Sequence, residues 1–525
     1  MSNKVVILTA GAGSRLNQRT RFFNKAILRV GNKAAISHIV ELFPPETQFV
    51  IALGHLGDIV RQYVQIAHPD LHFTFVEIDK YSVPGSGPGY ALKRCEPHLQ
   101  QPFYFVACDT LITQDSFWKQ NHQQDNYIAY DEIPSDFVED YCTLILNGDM
   151  VHKFIDKSPE GTVHAFTGLA HIQDWKLFWA EMNANDKMIK QEIQLSPALA
   201  NLPNLRGVHM KWFDVGCERG LLHARQHHKG IDNLDKLDEE IYLVNNNIIK
   251  YFHNSKIIKN RMERARRLDG LVPKILEATD NFYKYRHVSG DDLFHRSDIL
   301  ELMPKLLDYA KERLWIDGSR EDHSPQLFKL TCEDFYRKKT ISRIEDFYKK
   351  THIPNQQETI NGHFSEKSDY YLYLIDWDYL CTKAIPSQFH GDFQPGNIIA
   401  DMEKKFTFID WRQDFGGFLP CGDRYYDFAK MYASLLMPHS SIKNNNFSLR
   451  KSGGEIFVDI FVPGYIRDCR DIFESWLKKN KYDISHVFLL SAIVMWNMAP
   501  LHEHPLDEWL YYYAKHMLSQ IYVSK

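Results

Sequence analysis

His390-Gly391-Asp392-Phe393-Gln394-Pro395-Gly396-Asn397, with Asp410 thirteen residues further on in Phe408-Ile409-Asp410-Trp411, is the sharpest chemical signal in the chain. Moving a phosphoryl group from ATP to a hydroxyl needs a carboxylate that orients the hydroxyl and accepts its proton. It also needs an amide and a second carboxylate to hold Mg2+ on the phosphates. Asp392, Asn397 and Asp410 offer those groups in that order, which makes Asp392 the catalytic candidate and Asn397 and Asp410 the metal candidates. His390 reads as a structural residue of the loop, because Asp392 already fills the role of base.

A second set of residues lies near the N-terminus. Gly11-Ala12-Gly13-Ser14-Arg15 directly follows the apolar run Val5-Val6-Ile7-Leu8-Thr9-Ala10. Glycines in such a turn let backbone N–H groups approach phosphates, and an arginine adds a permanent charge. Alone, a Gly-rich turn after a strand serves structural ends equally well, and Lys25 alone reads as a solvated lysine. A second Gly-rich turn, 85–89 (GSGPG, with Gly87 at its centre), precedes an expected helix over 90–98; it suits the wall of a nucleobase pocket or a plain loop. Asp109 follows the apolar run 103–107, and Asp214 sits in Trp212-Phe213-Asp214-Val215-Gly216. Carboxylates at the carboxyl ends of buried strands are placed to hold Mg2+ beside phosphates. Two that share a metal suit nucleotidyl transfer, where the α-phosphate charge must be neutralised and an incoming phosphate oxygen held in line.

The elements that position these groups are of two kinds. Runs 5–10, 49–53 and 103–107 are short and continuously apolar, as strands buried on both faces of a parallel sheet are. Expected helices over 33–43 and 56–67 lie between them, giving an α/β alternation with ligands at the strands' carboxyl ends. Residues 151–172 read as further strands and 219–228 as a closing helix. The polar stretch 228–240 places a boundary, with domains over 1–230 and 231–525. Two β-rich runs around Asn245-Asn246-Asn247 predict a hairpin, followed by a helix over 255–268. From about 295 the pattern is mainly helical, with short strands near 397–400 and 405–410 and a hairpin turning at Ser452-Gly453-Gly454.

Composition bounds the possibilities. At 525 residues the chain is too long for one ordinary domain, since roughly 150 per domain is typical. Lys plus Arg number 62 against 67 acids, a net −5, which argues against a nucleic-acid binder. No unbroken run of 18 apolar residues and no leader pattern is present, so no membrane span and a cytoplasmic location are expected. Eight scattered cysteines without a CxxC pair read as reduced thiols.

Together the N-terminal pieces resemble the sugar-phosphate nucleotidyltransferases, or pyrophosphorylases, over about residues 1–230. The pieces are GAGSR (11–15), Lys25, ACDT (107–110), Asp156-Lys157 and WFDVG (212–216). Asn24 stands where the family pattern has proline, and Asp156 where it has glutamate. The resemblance implies a mostly parallel-sheet domain in which Gly11, Gly13, Ser14, Gly87 and Arg15 hold a nucleoside triphosphate and Lys25 contacts phosphate. It implies Asp109 and Asp214 on Mg2+, and Asp156 and Lys157 on the sugar phosphate.

The C-terminal pieces resemble the aminoglycoside phosphotransferase and choline kinase family over about 233–525, through the H-x-D-x-x-x-x-N spacing and the aspartate after a hairpin. That implies a two-lobed, protein-kinase-like α+β domain. Lys250, in Ile248-Ile249-Lys250-Tyr251, would be the strand lysine on the ATP phosphates, and Glu263 its ion-pair partner. The segment 285–293 would be the hinge, and no Gly-rich loop precedes Lys250. Asp427 would bond the catalytic loop's backbone. Arg412 would contact the acceptor and points to a neutral or anionic one; Trp411, Asp414 and Trp496 are further pocket candidates, Trp496 reading more readily as core.

The two resemblances imply consecutive steps. ATP phosphorylates a small hydroxyl metabolite, expected to be a sugar at its anomeric position. A second NTP then converts the phosphate into an NDP-activated precursor for cell-surface polysaccharide. Alternatives are a choline, amino-alcohol or polyol kinase joined to a CTP-dependent cytidylyltransferase, and a chain in which one domain is a degenerate regulator.

Overall fold

Val5, Val6 and Ile7 are wholly buried, and they point alternately into two different cores. Val5 and Ile7 join Phe49, Ile51 and Val106 on one side. Val6 joins Val50, Phe103 and Phe105 on the other. A strand covered on both faces has no polar side, which is why these runs read as continuously apolar. The computed structural model describes residues 3–118, 125–184, 188–189, 191–231, 237–318 and 324–522. Its chain divides into two compact units: one runs to Ile258 and adds Leu276–His287, and the other comprises Lys259–Ile275 and everything from Val288 on.

The first unit is built on a nine-stranded sheet. The strand order is His72–Glu77, Gln48–Leu53, Lys4–Leu8, Phe103–Ala107, His164–Ile172, Tyr127–Glu132, Arg206–His209, Met150–Asp156, Cys142–Asn147. The four strands at the first edge pair in parallel, joined by helical crossovers such as Gly57–Ala67 and Pro88–Cys95. Beyond Phe103–Ala107 the pairing turns antiparallel, apart from Arg206–His209 against Tyr127–Glu132. The expectation of a mostly parallel sheet is therefore corrected to a mixed one. The cause is local: strands from 127 to 172 follow one another through short turns, and only a crossover can return a parallel neighbour.

A second sheet belongs to the same unit. Glu239–Val244 and Asn247–Phe252 form the expected hairpin, its turn made by Asn245 and Asn246 at φ of 49° and 58°. Asparagine tolerates that left-handed backbone, which matches the twist of a two-residue hairpin. Phe282–Arg286 and Ile275–Ala278 complete the sheet. It is fastened to the N-terminal residues: Tyr242 Oη donates to Ile27 O at 2.7 Å, and Tyr251 Oη to Phe22 O at 2.6 Å. Arg29 Nε meets Glu240 Oε1 at 2.7 Å.

The second unit is mainly helical. The helices Arg424–Leu436, Ile484–Met498 and Leu506–Tyr522 pack on one another. Ile484–Leu501 is the one helical stretch among the described residues long and apolar enough to cross a membrane, and 61% of it is buried inside this unit. Its apolarity is that of a core helix, with Trp496 fully buried. The short strands Ile398–Ala400 and Phe406–Phe408 form a hairpin, and Phe447–Ser452 and Glu455–Ile460 form another around Gly453 and Gly454. All eight cysteines are free thiols.

Candidate active site

Two separate constellations carry the predicted residues, one in each unit. In the first unit Gly13 turns the chain at φ 68° out of the first strand and opens the 3-10 helix Ser14–Arg21. A side chain on Gly13 would come within 2.9 Å of Thr20 Cγ2, so glycine is required on two counts. Asn24 is fully buried and replaces the pinning action of a proline by hydrogen bonds. Its Nδ2 donates to Thr9 O at 2.8 Å and His55 O at 2.6 Å, and its Oδ1 accepts from Ala26 N at 2.8 Å. The next residue, Lys25, is thereby aimed at Asp109, with Nζ–Oδ2 at 2.7 Å.

Asp214 is brought beside Asp109 by a two-stranded pairing in which Trp212–Asp214 runs antiparallel to Thr110–Ile112. Val215 N donates to Asp109 O at 3.0 Å, locking the two loops. Tyr141 Oη and Gly216 N donate to Asp214 at 2.8 and 2.9 Å, and Arg15 lies 3.9 Å from it. Gly216 marks where the carboxylates converge: a Cβ there would collide with Asp109 Oδ2 and lie 3.0 Å from Asp214 Oδ1. Burial pushes the Asp109 carboxyl up, but the charge and hydrogen bond of Lys25 together with the charge of Arg15 hold the group below the usual range. Asp214 is raised, first by burial and then by the negative charge of Asp109. Two buried carboxylates that repel one another around a side-chain-free cradle fit a divalent cation, which would remove that repulsion. Among the described residues no group of three or more His, Cys, Asp or Glu gathers as a metal cage, so protein would supply only part of a metal's shell.

The remaining first-unit candidates sit around a neighbouring turn. Gly87, at φ 106°, opens the helix Pro88–Cys95, and a Cβ on it would lie 2.7 Å from Glu192 Cβ. Close packing therefore accounts for this glycine. Asp156 accepts from Ser196 Oγ at 2.6 Å. Lys157 has φ 47° and its Nζ lies 4.0 Å from Glu192, facing the same turn. Lys250 is buried on Asn247–Phe252, opposite Ile241 and Tyr283.

In the second unit the catalytic-loop candidate is held from behind. Asp427 accepts from His390 N at 2.7 Å, Gly391 N at 2.6 Å and Trp315 Nε1 at 3.0 Å. Its role on the loop backbone is the one expected from sequence. Burial pushes the Asp427 carboxyl up to about 6. His390 is fully buried, with Nε2 against Ile409 O at 2.8 Å, and burial lowers it to about 4, so it is neutral. Asn397 Nδ2 donates to Asp392 Oδ2 and to Asp392 O, each at 2.9 Å. Asp410 follows the hairpin that Asn397 precedes, and Ile409 N donates to Asn397 O at 2.9 Å, so the two metal candidates flank one turn. Asp410 has φ 61°, a conformation that an L-residue keeps only where its surroundings impose it.

Several roles depart from the sequence reading. Glu263 meets Arg266 and Arg267 of its own helix at 3.0 and 3.4 Å. Trp411 is fully buried with Nε1 on Arg261 O at 3.0 Å, so it is core and not pocket. Asp414 accepts from Asn260 and Gly417. Arg412 packs its side chain on Gly391, where a Cβ would collide with it, and its Nε donates to Asp414 O at 3.0 Å. Sequence reasoning missed Tyr141, Arg264 and Lys430. Lys430 Nζ lies 2.7 Å from Asp392 Oδ1. Burial opposes ionisation of Asp392, yet the charge and hydrogen bond of Lys430, together with His390 and the hydrogen bond from Asn397, keep the carboxyl below its ordinary value. Arg264 is buried, stacks 4.0 Å over Phe389 and donates to Phe389 O, bracing the loop. For Lys430 a signal existed: it lies one helical turn after Asp427 in Asp427-Phe428-Ala429-Lys430. Tyr141 and Arg264 carry no local signal, because long-range packing brings them in.

Residues 5–130 match the family model of the MobA-like NTP transferase domain. That stretch holds Gly11, Gly13, Arg15, Lys25 and Asp109, so the first unit carries an NTP-transferase type of fold. No curated protein matches the chain by sequence. Among solved structures, a UDP-glucose pyrophosphorylase complexed with UDP-glucose aligns at 18% identity and TM-score 0.38, covering 43% of this chain and 98% of that one. A UTP-bound UGPase from Acinetobacter baumannii aligns at 17% identity and TM-score 0.34, covering 43% and 93%. Likeness at that level identifies no substrate.

Proposed function

We propose that this chain is a two-step enzyme: the second unit phosphorylates a small hydroxyl metabolite with ATP, and the first couples the product to another NTP. The observation that carries the first half is the convergence of Asp109 and Asp214 on Gly216, with Lys25 and Arg15 beside them, inside a segment that matches an NTP-transferase family. Asp109 and Asp214 would hold Mg2+, which when bound would neutralise charge at the α-phosphate. The backbone at Gly11, Gly13 and Ser14 cradles the triphosphate, and Lys25 exchanges Asp109 for a phosphate oxygen. Lys157 and Asp156 orient the incoming phosphate, whose oxygen attacks the α-phosphorus as the α–β bond breaks and pyrophosphate leaves.

The second half rests on Asp392, Asn397 and Asp410 around one hairpin. Asp392 takes the proton of the acceptor hydroxyl while its oxygen attacks the γ-phosphorus and ADP departs. Asn397 and Asp410 suit a Mg2+ on the phosphates; Lys250, expected on the ATP phosphates, belongs to the first unit and is not part of this constellation. The boundary expected at residue 230 gives way to the two compact units, the first holding 1–258 and 276–287, and the preferred acceptor is a sugar, phosphorylated at the anomeric hydroxyl. The test is direct. Full-length protein is offered ATP with a panel of hydroxyl metabolites, then CTP, UTP, GTP or dTTP with each phosphorylated product. ADP and pyrophosphate release from one matched pair supports the reading. Pyrophosphate release from no NTP overturns the first half, and no acceptor-dependent ADP overturns the second.

A further inference from the structure

The helical stretch 325–351 is interrupted by one wide π turn, Asp334–Lys338, between Pro325–Glu333 and Lys339–Thr351. Such turns are rare and often mark functional positions. This one buries Phe335, and two cations lie over its ring: Lys339 Nζ at 4.1 Å from the centroid and the Arg412 guanidinium at 5.1 Å. Arg412 in turn packs on Gly391, next to Asp392, whose carboxylate holds Lys430 at 2.7 Å. Lys339 sits well below the usual lysine value, through burial first and then the positive charges of Arg412, Arg343 and Lys430. Three cations therefore share one neighbourhood beside the base, and Arg343 follows Lys339 by one turn on the same helix.

Their counter-charges fall short. Asp392 serves Lys430, and Asp414, the acid that favours a charged Lys339, already accepts from Asn260 Nδ2 and Gly417 N. Among the described residues neither Lys339 nor Arg343 has a carboxylate at ion-pair distance. Like charges gathered in a partly desolvated place are unfavourable unless an anion completes them.

Resting on the kinase reading above, we propose that the acceptor carries an anionic group, a carboxylate or a phosphate, bound by Lys339, Arg343 and Arg412 while its hydroxyl faces Asp392. The aromatic floor at Phe335 holds the two inner cations in place, and a quaternary ammonium such as choline is repelled by the same charges.

The experiment uses full-length protein, ATP and acceptor pairs that differ in one anion: glycerol and glycerate, glucose and glucuronate, mannose and mannose 6-phosphate, with choline as the cationic control. ADP release is followed. In at least one pair the anionic member should exceed its neutral partner tenfold or more in kcat/KM, and the identity of that pair separates carboxylate from phosphate. Lys339→Met should raise KM for that acceptor at least tenfold, leave KM for ATP unchanged, and be rescued by Lys339→Arg. If Lys339→Met melts early, Arg343→Gln carries the same comparison. Preference for a neutral or cationic acceptor, or a rise in KM for ATP alone, overturns the anion site and leaves the kinase reading intact. ADP release no greater than in Asp392→Asn for every compound overturns both.

Discussion

Lys25 Nζ and Asp109 Oδ2 lie 2.7 Å apart although 84 residues separate them in sequence. The pair forms because Asn24 fixes one partner behind the first strand and the parallel strand Phe103–Ala107 delivers the other to the same, carboxyl, end of the sheet. It keeps the lysine and the buried aspartate charged; in the proposed reaction a triphosphate and its cation would replace each partner. Lys25→Met should lower nucleotidyl transfer about 100-fold or more, the scale of losing one preorganised charge at a transferring phosphate. Pyrophosphate release measures it, while ADP release from the second unit stays at the wild-type level. Turnover within a few-fold of wild type would remove Lys25 from the site.

Gly216→Ala tests the cradle without removing a charged group. Its methyl would press on both Asp109 and Asp214. The expected result is pyrophosphate release reduced by on the order of 100-fold and a higher Mg2+ requirement, because both carboxylates must shift. Unchanged magnesium dependence would argue that the metal is held elsewhere.

Asp392→Asn should slow ATP-dependent phosphorylation by about two to four orders of magnitude, as loss of a general base does. Coupling of a supplied phosphate product to NTP should proceed as before. If both activities fall together, the two constellations are not separate sites.

A pH effect follows from His68, which is buried, bonded to Ser37 Oγ at 2.8 Å and lowered by burial to about 4. The unfolded chain binds a proton near pH 6.5 and the folded chain does not, so stability is full above 6.5 and falls as pH drops towards 4. The loss approaches about 3 kcal/mol at the lower end. His68→Gln keeps a hydrogen-bonding side chain and should flatten this part of the profile; melting temperatures of both proteins between pH 7 and 4.5 give the comparison. Parallel profiles would contradict it.

A chain ended after residue 230 should be poorly soluble or melt early. It lacks Tyr242, Tyr251 and Phe282, all wholly buried in the first unit's core, and leaves Arg29 without Glu240. Deleting several large buried side chains costs roughly 3–5 kcal/mol for each aromatic. Circular dichroism on chains ended at 230 and at 287 measures the difference; equal stability would show the second sheet to be dispensable.

How far the sequence carried these conclusions depended on how local the cause was. The strands at 5–10, 49–53 and 103–107 were legible because burial on both faces leaves an unbroken apolar signature. The hairpins at Asn245-Asn246 and Gly453-Gly454 were legible because their turns demand residues that tolerate positive φ. Gly13, Lys25 and Asp109 were legible as a motif, as were Asp392, Asn397 and Asp410, since each set lies near strand ends. The antiparallel half of the first sheet was not, because strand direction depends on connections and not on side-chain pattern. Tyr141 at Asp214 and Arg264 behind Phe389 were likewise hidden, each being placed by a distant partner. Glu263 illustrates the opposite error: spacing from Lys250 suggested a pair, and nearer arginines on its own helix took the charge.

The division of the chain has a consequence for synthesis. The polypeptide leaves the first unit after Ile258, returns at Leu276 and departs again after His287. Strand Phe282–Arg286, which pairs with Asn247 to Tyr251, is therefore the last strand of that unit to leave a ribosome. Until it emerges, Tyr251 lacks the ring of Phe282 against it, and the nascent N-terminal sheet presents apolar surface to its surroundings. Completion of the nucleotide-handling half is timed by residues that belong, in linear order, to the other half.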